Sequence, residues 1–339
     1  MYCNFFGFSE KPFDVTPDPK FLYLTPGRRE MLAALTYGIR ERRGFITIGG
    51  EVGTGKTTLL NAVLDRLDEK TKVAYIFNRV ITSDQMLAMV LADLGLADSN
   101  EALSEVEAVH RLNNFAIRQL ADGGNVVLIV DEAQNLDRHS MEGLRILSNL
   151  ETRKHKLIQI VLSGQPELDV TLNRPELRQL AQRISLRRYI NPLSENETYE
   201  YIQHRLRVAD YSGPTFFHRQ AQKMIWEYSE GVPRKINILC DNALLIGYAL
   251  REKTIKARVV EEAIRDLRSS LFSKAIEGRG KSPMEKRSPR LKRRPFRPRF
   301  ALAASLVLCT CLILAVGLFL GNSRLDSQER ESLPQHTAI

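Results

Sequence analysis

One run of residues, Gly50-Glu51-Val52-Gly53-Thr54-Gly55-Lys56-Thr57, restricts the fold of this chain more than any other stretch. It has the spacing G-x-x-x-x-G-K-[ST], follows the apolar run GFITIG (44–49) and opens a helix-forming segment. Such a loop curls its backbone N–H groups around phosphate oxygens only when a strand delivers it and a helix N-terminus continues it. The run and Thr58 after it are therefore expected to hold nucleotide phosphates. Lys56 reaches the β/γ-phosphates and the Thr57 hydroxyl binds Mg²⁺, which makes ATP and Mg²⁺ the implied ligands.

The surrounding pattern agrees with a strand–loop–helix unit. Short apolar runs at VAYIF (73–77), VVLIV (126–130), LIQIVL (157–162) and ISLRRYI (184–190) read as buried parallel strands. Helices between them are announced by capping boxes, Thr82 with Gln85 and Ser104 with Glu107. The expected fold is α/β, a doubly wound parallel sheet over 26–192, joined to a small all-helical lid over 193–272 that Ser194 and Glu197 open. Residues 1–25 alternate aromatics with prolines and read as an extended leader packed on the core, before Thr25-Pro26 caps the first long helix. No charged leader followed by an apolar run marks a secretory signal.

The formal net charge of +9 belongs to one place. Ser273 to Arg299 holds 11 Lys/Arg against Glu277 and Glu285, which alone gives 11 − 2 = +9; the remainder balances at 38 basic and 38 acidic residues. A neutral globular part argues against nucleic acid as a partner. The basic stretch, 273–299, is Pro- and Ser-rich and reads as a flexible linker to an apolar segment, 300–320, which is about 31 Å long at ~1.5 Å per residue and matches a hydrocarbon core of ~30 Å. Positive charge before the span and a mixed tail after it, 321–339, place the bulk of the chain in the cytoplasm and the tail outside. Gly317 with Gly321, and Ala301 with Ser305, are small-xxx-small pairs. Of the four cysteines, Cys309 and Cys311 fall inside the apolar segment, and no zinc or disulfide framework is indicated. His110, His139, His155 and His204 show no ligand spacing.

Other positions can complete a phosphate site. Asp131 and Glu132 end the run VVLIV; Asp131 organises Mg²⁺ and Glu132 acts as general base for the attacking water. Gln165, after LIQIVLSG, can orient that water. Arg178 or Arg183 in PELRQLAQRI can reach a neighbouring subunit's nucleotide, and Arg234 in GVPRKIN can close on the γ-phosphate from the lid. The plain alternatives are a turn residue for Gln165 and solvated helix charges for the arginines.

These residues together resemble an AAA+ ATPase, and closely the general secretion pathway protein A type. The likeness runs through FFGFSEKPFDVTPDPKFLY, EVGTGKTTLL, VVLIVDEAQNL, NLET, GQPEL, RQLAQRI and GVPRKINILCDNALL, roughly residues 1–268. It implies ATP hydrolysis at a subunit interface of a ring, with Arg183 as finger and Arg234 as second sensor. It also implies an inner-membrane or periplasmic partner in secretin assembly, pilus biogenesis or polysaccharide export. The secretion member carries a periplasmic peptidoglycan-binding domain, for which the 19 residues from Gly321 to Ile339 are too few. Two other readings compete: a DNA-dependent ATPase of the transposition-helper type, and a scaffold that binds ATP with little hydrolysis.

Overall fold

The computed structural model describes residues 2–16, 18–77, 82–98, 101 and 103–279. In chain order the helices are α1 (Tyr2–Phe6), α2 (Pro26–Arg40), α3 (Lys56–Leu64), α4 (Ser83–Asp93), α5 (Glu105–Ala121), α6 (Arg138–Leu147), α7 (Pro166–Leu172), α8 (Arg178–Ala181), α9 (Glu195–Val208), α10 (Arg219–Ser229), α11 (Pro233–Ala249) and α12 (Ala257–Arg279). The strands are β1 (Phe45–Gly50), β2 (Thr71–Ile76), β3 (Asn125–Val130), β4 (Ile158–Gly164) and β5 (Ile184–Ile190). They form one sheet in the order β2-β3-β4-β1-β5, and every neighbouring pair is parallel.

Alternation within β3 shows why helices cover both faces. Val126, Leu128 and Val130 enter a core built with α4, α5 and α6, while Val127 and Ile129 enter a second core with α2 and α3. All six positions of β1 and of β3 are buried. Each fully buried aliphatic side chain contributes ~1.5–3 kcal/mol. Continuous apolar runs are thus the signature of strands sandwiched between two helical layers. The capping boxes at Thr82, Ser104 and Ser194 all form, with the Gln85, Glu107 and Glu197 side chains reaching back to the cap backbone.

α9 to α12 make a separate helical core around Ile202, Phe216, Phe217, Ile225, Leu239 and Val260. The leader differs from the expected extended segment on the core in two respects. Tyr2–Phe6 and Pro19–Phe21 are helical turns, and Tyr2, Phe6, Phe8 and Phe13 are buried among the lid helices rather than on the sheet. Aromatic packing explains the destination, since Phe6 and Phe8 meet the Phe216 ring and Phe13 meets Phe217 edge-on at 5.9 Å. α12 runs to Arg279, into the stretch expected to be linker. The remainder of that stretch, the apolar segment 300–320 and the tail 321–339 lie outside the described residues. Among the described residues no helix is long and apolar enough to cross a membrane.

Candidate functional site

The site lies at the C-terminal edge of the sheet, where β1, β3 and β4 all end. Gly53 and Gly55 adopt positive φ, +81° and +96°, so the loop after β1 turns with backbone that a side chain would oppose. Gly55 is the N-cap of α3 and supplies no side-chain acceptor, which leaves the first N–H groups of that helix open toward an anion. Lys56 and Thr57 begin the helix. Thr54 is buried and its hydroxyl donates to the Glu51 carbonyl at 2.8 Å, stiffening the turn.

Lys56 is 5% exposed, and its ammonium donates to the carbonyls of Gly50 at 2.8 Å and Glu51 at 3.1 Å. Burial pushes its pKa down, against the pull of Glu132 and Asp131. The Thr57 hydroxyl donates to Asp131 Oδ2 at 2.7 Å, and Asp131 Oδ1 accepts from the Glu132 N–H at 3.0 Å. A hydroxyl and a carboxylate at that separation are the hard oxygen donors that suit Mg²⁺ held partly by water and phosphate. Among the described residues no group of three His, Cys, Asp or Glu forms a metal cage.

Glu132 has left-handed backbone, φ +53°, a conformation costly for a side-chain-bearing residue and concentrated at functional sites. Its Oε2 accepts from Gln134 Nε2 at 2.5 Å and from Gln165 Nε2 at 3.1 Å, while Gln165 N–H donates to Gln134 Oε1 at 3.0 Å. Oε1 makes no hydrogen bond among the described residues. Burial raises the pKa of this carboxyl, but the two amides and the Lys56 charge outweigh it and hold the group below the usual glutamate range.

The lid closes the other side. Arg234, in the first turn of α11, donates its backbone N–H to the Gly53 carbonyl at 3.2 Å, and its side chain is exposed beside the loop. Thr58, Val52, Gly53 and Gly55 line the same cavity with Lys56, Thr57 and Glu132. Glu51 is exposed at the loop's outer side, and Gly50 is buried against Thr54 and the Ile190 carbonyl. Arg178 and Arg183 are not brought to this cavity. Arg178 is exposed on α8, and Arg183, just before β5, donates to Ser148 Oγ at 3.2 Å.

Sequence reasoning missed several residues that contact the site. Gln134 had a local signal, two residues after Glu132 in DEAQ. Tyr75, whose hydroxyl donates to Asp131 Oδ2 at 3.4 Å, and Arg28, which donates to the Thr54 carbonyl at 3.0 Å, had none. Burial lowers the Arg28 pKa.

Comparison with known proteins gives a class that fits this site. Residues 39–172 match the AAA domain family. The Cdc6p structure from Pyrobaculum aerophilum superposes with a TM-score of 0.58 at 16% identity, over 74% of this chain and 71% of that one. The Aeropyrum pernix ORC2 protein in its ADPNP–ADP complexes gives 0.56 at 18% identity, over 74% and 72%. At such identities the likeness concerns the fold. The chain therefore carries an AAA domain of the AAA+ ATPase class. More specifically, it is related to general secretion pathway protein A of Aeromonas hydrophila, with 43% identity over 249 residues. That match covers 74% of this chain and 45% of the relative, so the chain spans less than half of the relative's length.

Proposed function

We propose that this chain hydrolyses ATP and is anchored in a bacterial inner membrane, where its nucleotide cycle drives assembly or export through the envelope. The observation that carries the reading is the meeting of Lys56, Thr57, Asp131, Glu132 and Gln165 at one strand edge, from three separate strand ends. Thr57 and Asp131 would hold Mg²⁺, which supplies charge neutralisation on the β/γ oxygens. Lys56 moves from the Gly50 and Glu51 carbonyls onto the phosphates. Glu132 orients a water with its free Oε1 and accepts its proton, while Gln134 and Gln165 fix the carboxylate from the other oxygen.

Arg183 precedes Ile184, which pairs with Phe45 at the end of β1 away from the phosphate loop; in a ring of copies it would serve a neighbouring copy's γ-phosphate. Arg234 acts from within the same chain. The envelope role rests on the relatedness to general secretion pathway protein A and on the apolar segment 300–320 preceded by its basic run. Its partner is then a membrane or periplasmic component of the same machinery.

Lys56→Ala tests the reading directly: ATP binding is lost while the protein stays in the membrane fraction. Normal ATP binding by the variant, or recovery of the wild type in the soluble fraction, contradicts it.

A further inference from the structure

The lid contains a buried arginine that the nucleotide chemistry above does not use. Arg205 on α9 is 5% exposed and forms no ion pair with a carboxylate among the described residues. Its Nε donates to the Pro12 carbonyl, its Nη2 to the Asp14 carbonyl at 3.2 Å, and its Nη1 to the Tyr201 hydroxyl at 2.9 Å. The guanidinium also lies over the Phe21 ring at 4.5 Å. Tyr201 in turn donates to Asn237 Oδ1 at 2.8 Å, and Asn237 Nδ2 donates to the same Asp14 carbonyl at 3.2 Å.

A charge without a counter-ion is costly to bury, so a chain needing only to fill this volume is better served by an apolar side chain. What the guanidinium does here that an apolar group cannot is hold three acceptors from two parts of the chain in a fixed fork. Two of them are leader carbonyls more than 190 positions away in sequence. The leader segment so held is part of the nucleotide cavity's wall: Asp14, Val15, Thr16 and Phe21 line the cavity that Gly53, Gly55 and Lys56 also line, as do Arg205 and Asn237 themselves. The loop and Lys56 fix the phosphates at one end, which leaves the nucleoside for the end walled by the leader and lid.

We infer that Arg205 is a positioning residue for the nucleoside half of the ATP site, fastening the leader to the lid so that the two form one wall. It acts through the leader backbone rather than on the reacting phosphates. The inference rests on the ATP-binding reading above.

The test compares ATP with inorganic tripolyphosphate, which has the phosphates and lacks the nucleoside, on the purified full-length chain. In Arg205→Gln the Kd for ATP and the KM for hydrolysis rise about tenfold, the loss expected when charge-assisted hydrogen bonds are removed. The Kd for tripolyphosphate and kcat at saturating ATP stay within about twofold, because the phosphate end is untouched. Arg205→Lys, which keeps a donor for one carbonyl, falls between. If Arg205→Gln does not fold, Asn237→Ala removes the second donor to Asp14 and gives the same selective loss at smaller size. Equal weakening of ATP and tripolyphosphate, or no weakening of either, overturns the inference while the wild type still binds ATP. A wild type that binds neither compound overturns the ATP-binding reading itself, and the inference with it.

Discussion

Gly53→Ala probes the contact between the phosphate loop and the lid. An added Cβ at this position would lie 2.7 Å from Arg234 Cβ, 3.3 Å from Val232 Cγ1 and 3.4 Å from Arg234 Cδ. Arg234 Cβ is fixed by its own backbone and Val232 Cγ1 sits on a stiff β-branched side chain at the N-cap of α11, so the crowding is relieved only if α11 backs away. That movement breaks the Arg234 N–H bond to the Gly53 carbonyl. Left-handed backbone at an alanine costs ~1–2 kcal/mol, and overpacking adds ~1–3 kcal/mol. Gly7→Ala is the matched control. Gly7 has φ +80° and a Cβ there meets nothing within 4 Å, so it carries the backbone cost alone. Thermal unfolding followed by circular dichroism should therefore place the Gly53→Ala midpoint below that of Gly7→Ala by roughly 2–12 °C, at ~2–4 °C per kcal/mol. Equal midpoints for the two variants would refute the close approach of lid and loop.

Three further outcomes follow from the proposed chemistry. Arg183→Ala should leave ATP binding intact and abolish hydrolysis, and mixing it with a Lys56-competent, Glu132-defective copy should restore turnover, as measured by phosphate release; no restoration at any mixing ratio contradicts action across a subunit boundary. The depressed Glu132 pKa predicts a pH response with a definite sign. A carboxyl held low stays ionised above the usual glutamate value and is lost only as pH falls through its lowered one, so kcat should show no Glu132-dependent fall between about pH 7 and pH 5. Gln165→Leu removes one of the amides that lower it, and the acid limb of the profile should move to higher pH; an unmoved limb breaks the link between the two residues.

Residues that sit close together in sequence were the ones legible before the structure. The strand–loop–helix turn over 50–57 declares itself because its glycines, lysine and threonine lie within a single turn, and the placement of Asp131-Glu132 does so because a buried strand ends there. The capping boxes are equally local, with partners three positions apart. Gln165 could be placed near the C-terminal edge of the sheet because β4 delivers it, but its bond to Glu132 spans 33 positions and depends on strand order. The Arg28 contact with Thr54 and the Arg205 contacts with Pro12 and Asp14 leave no periodic trace, since each depends on how distant elements pack. The packing partner of the leader's first aromatics was hidden for a similar reason, although Leu22 and Leu24 do pack on the sheet core. These aromatics announce burial without saying against what, and the lid's Phe216 and Phe217 supplied the partner.

The measurement that bears most directly on the central claim is phosphate release from ATP by the purified chain, set beside Glu132→Gln. The wild type should turn over ATP in a Mg²⁺-dependent manner, and Glu132→Gln should bind ATP with unchanged affinity while its kcat falls about 10²–10⁴-fold. A wild type without Mg²⁺-dependent turnover, or a variant as fast as the wild type, would contradict the assignment of this site as a hydrolytic one.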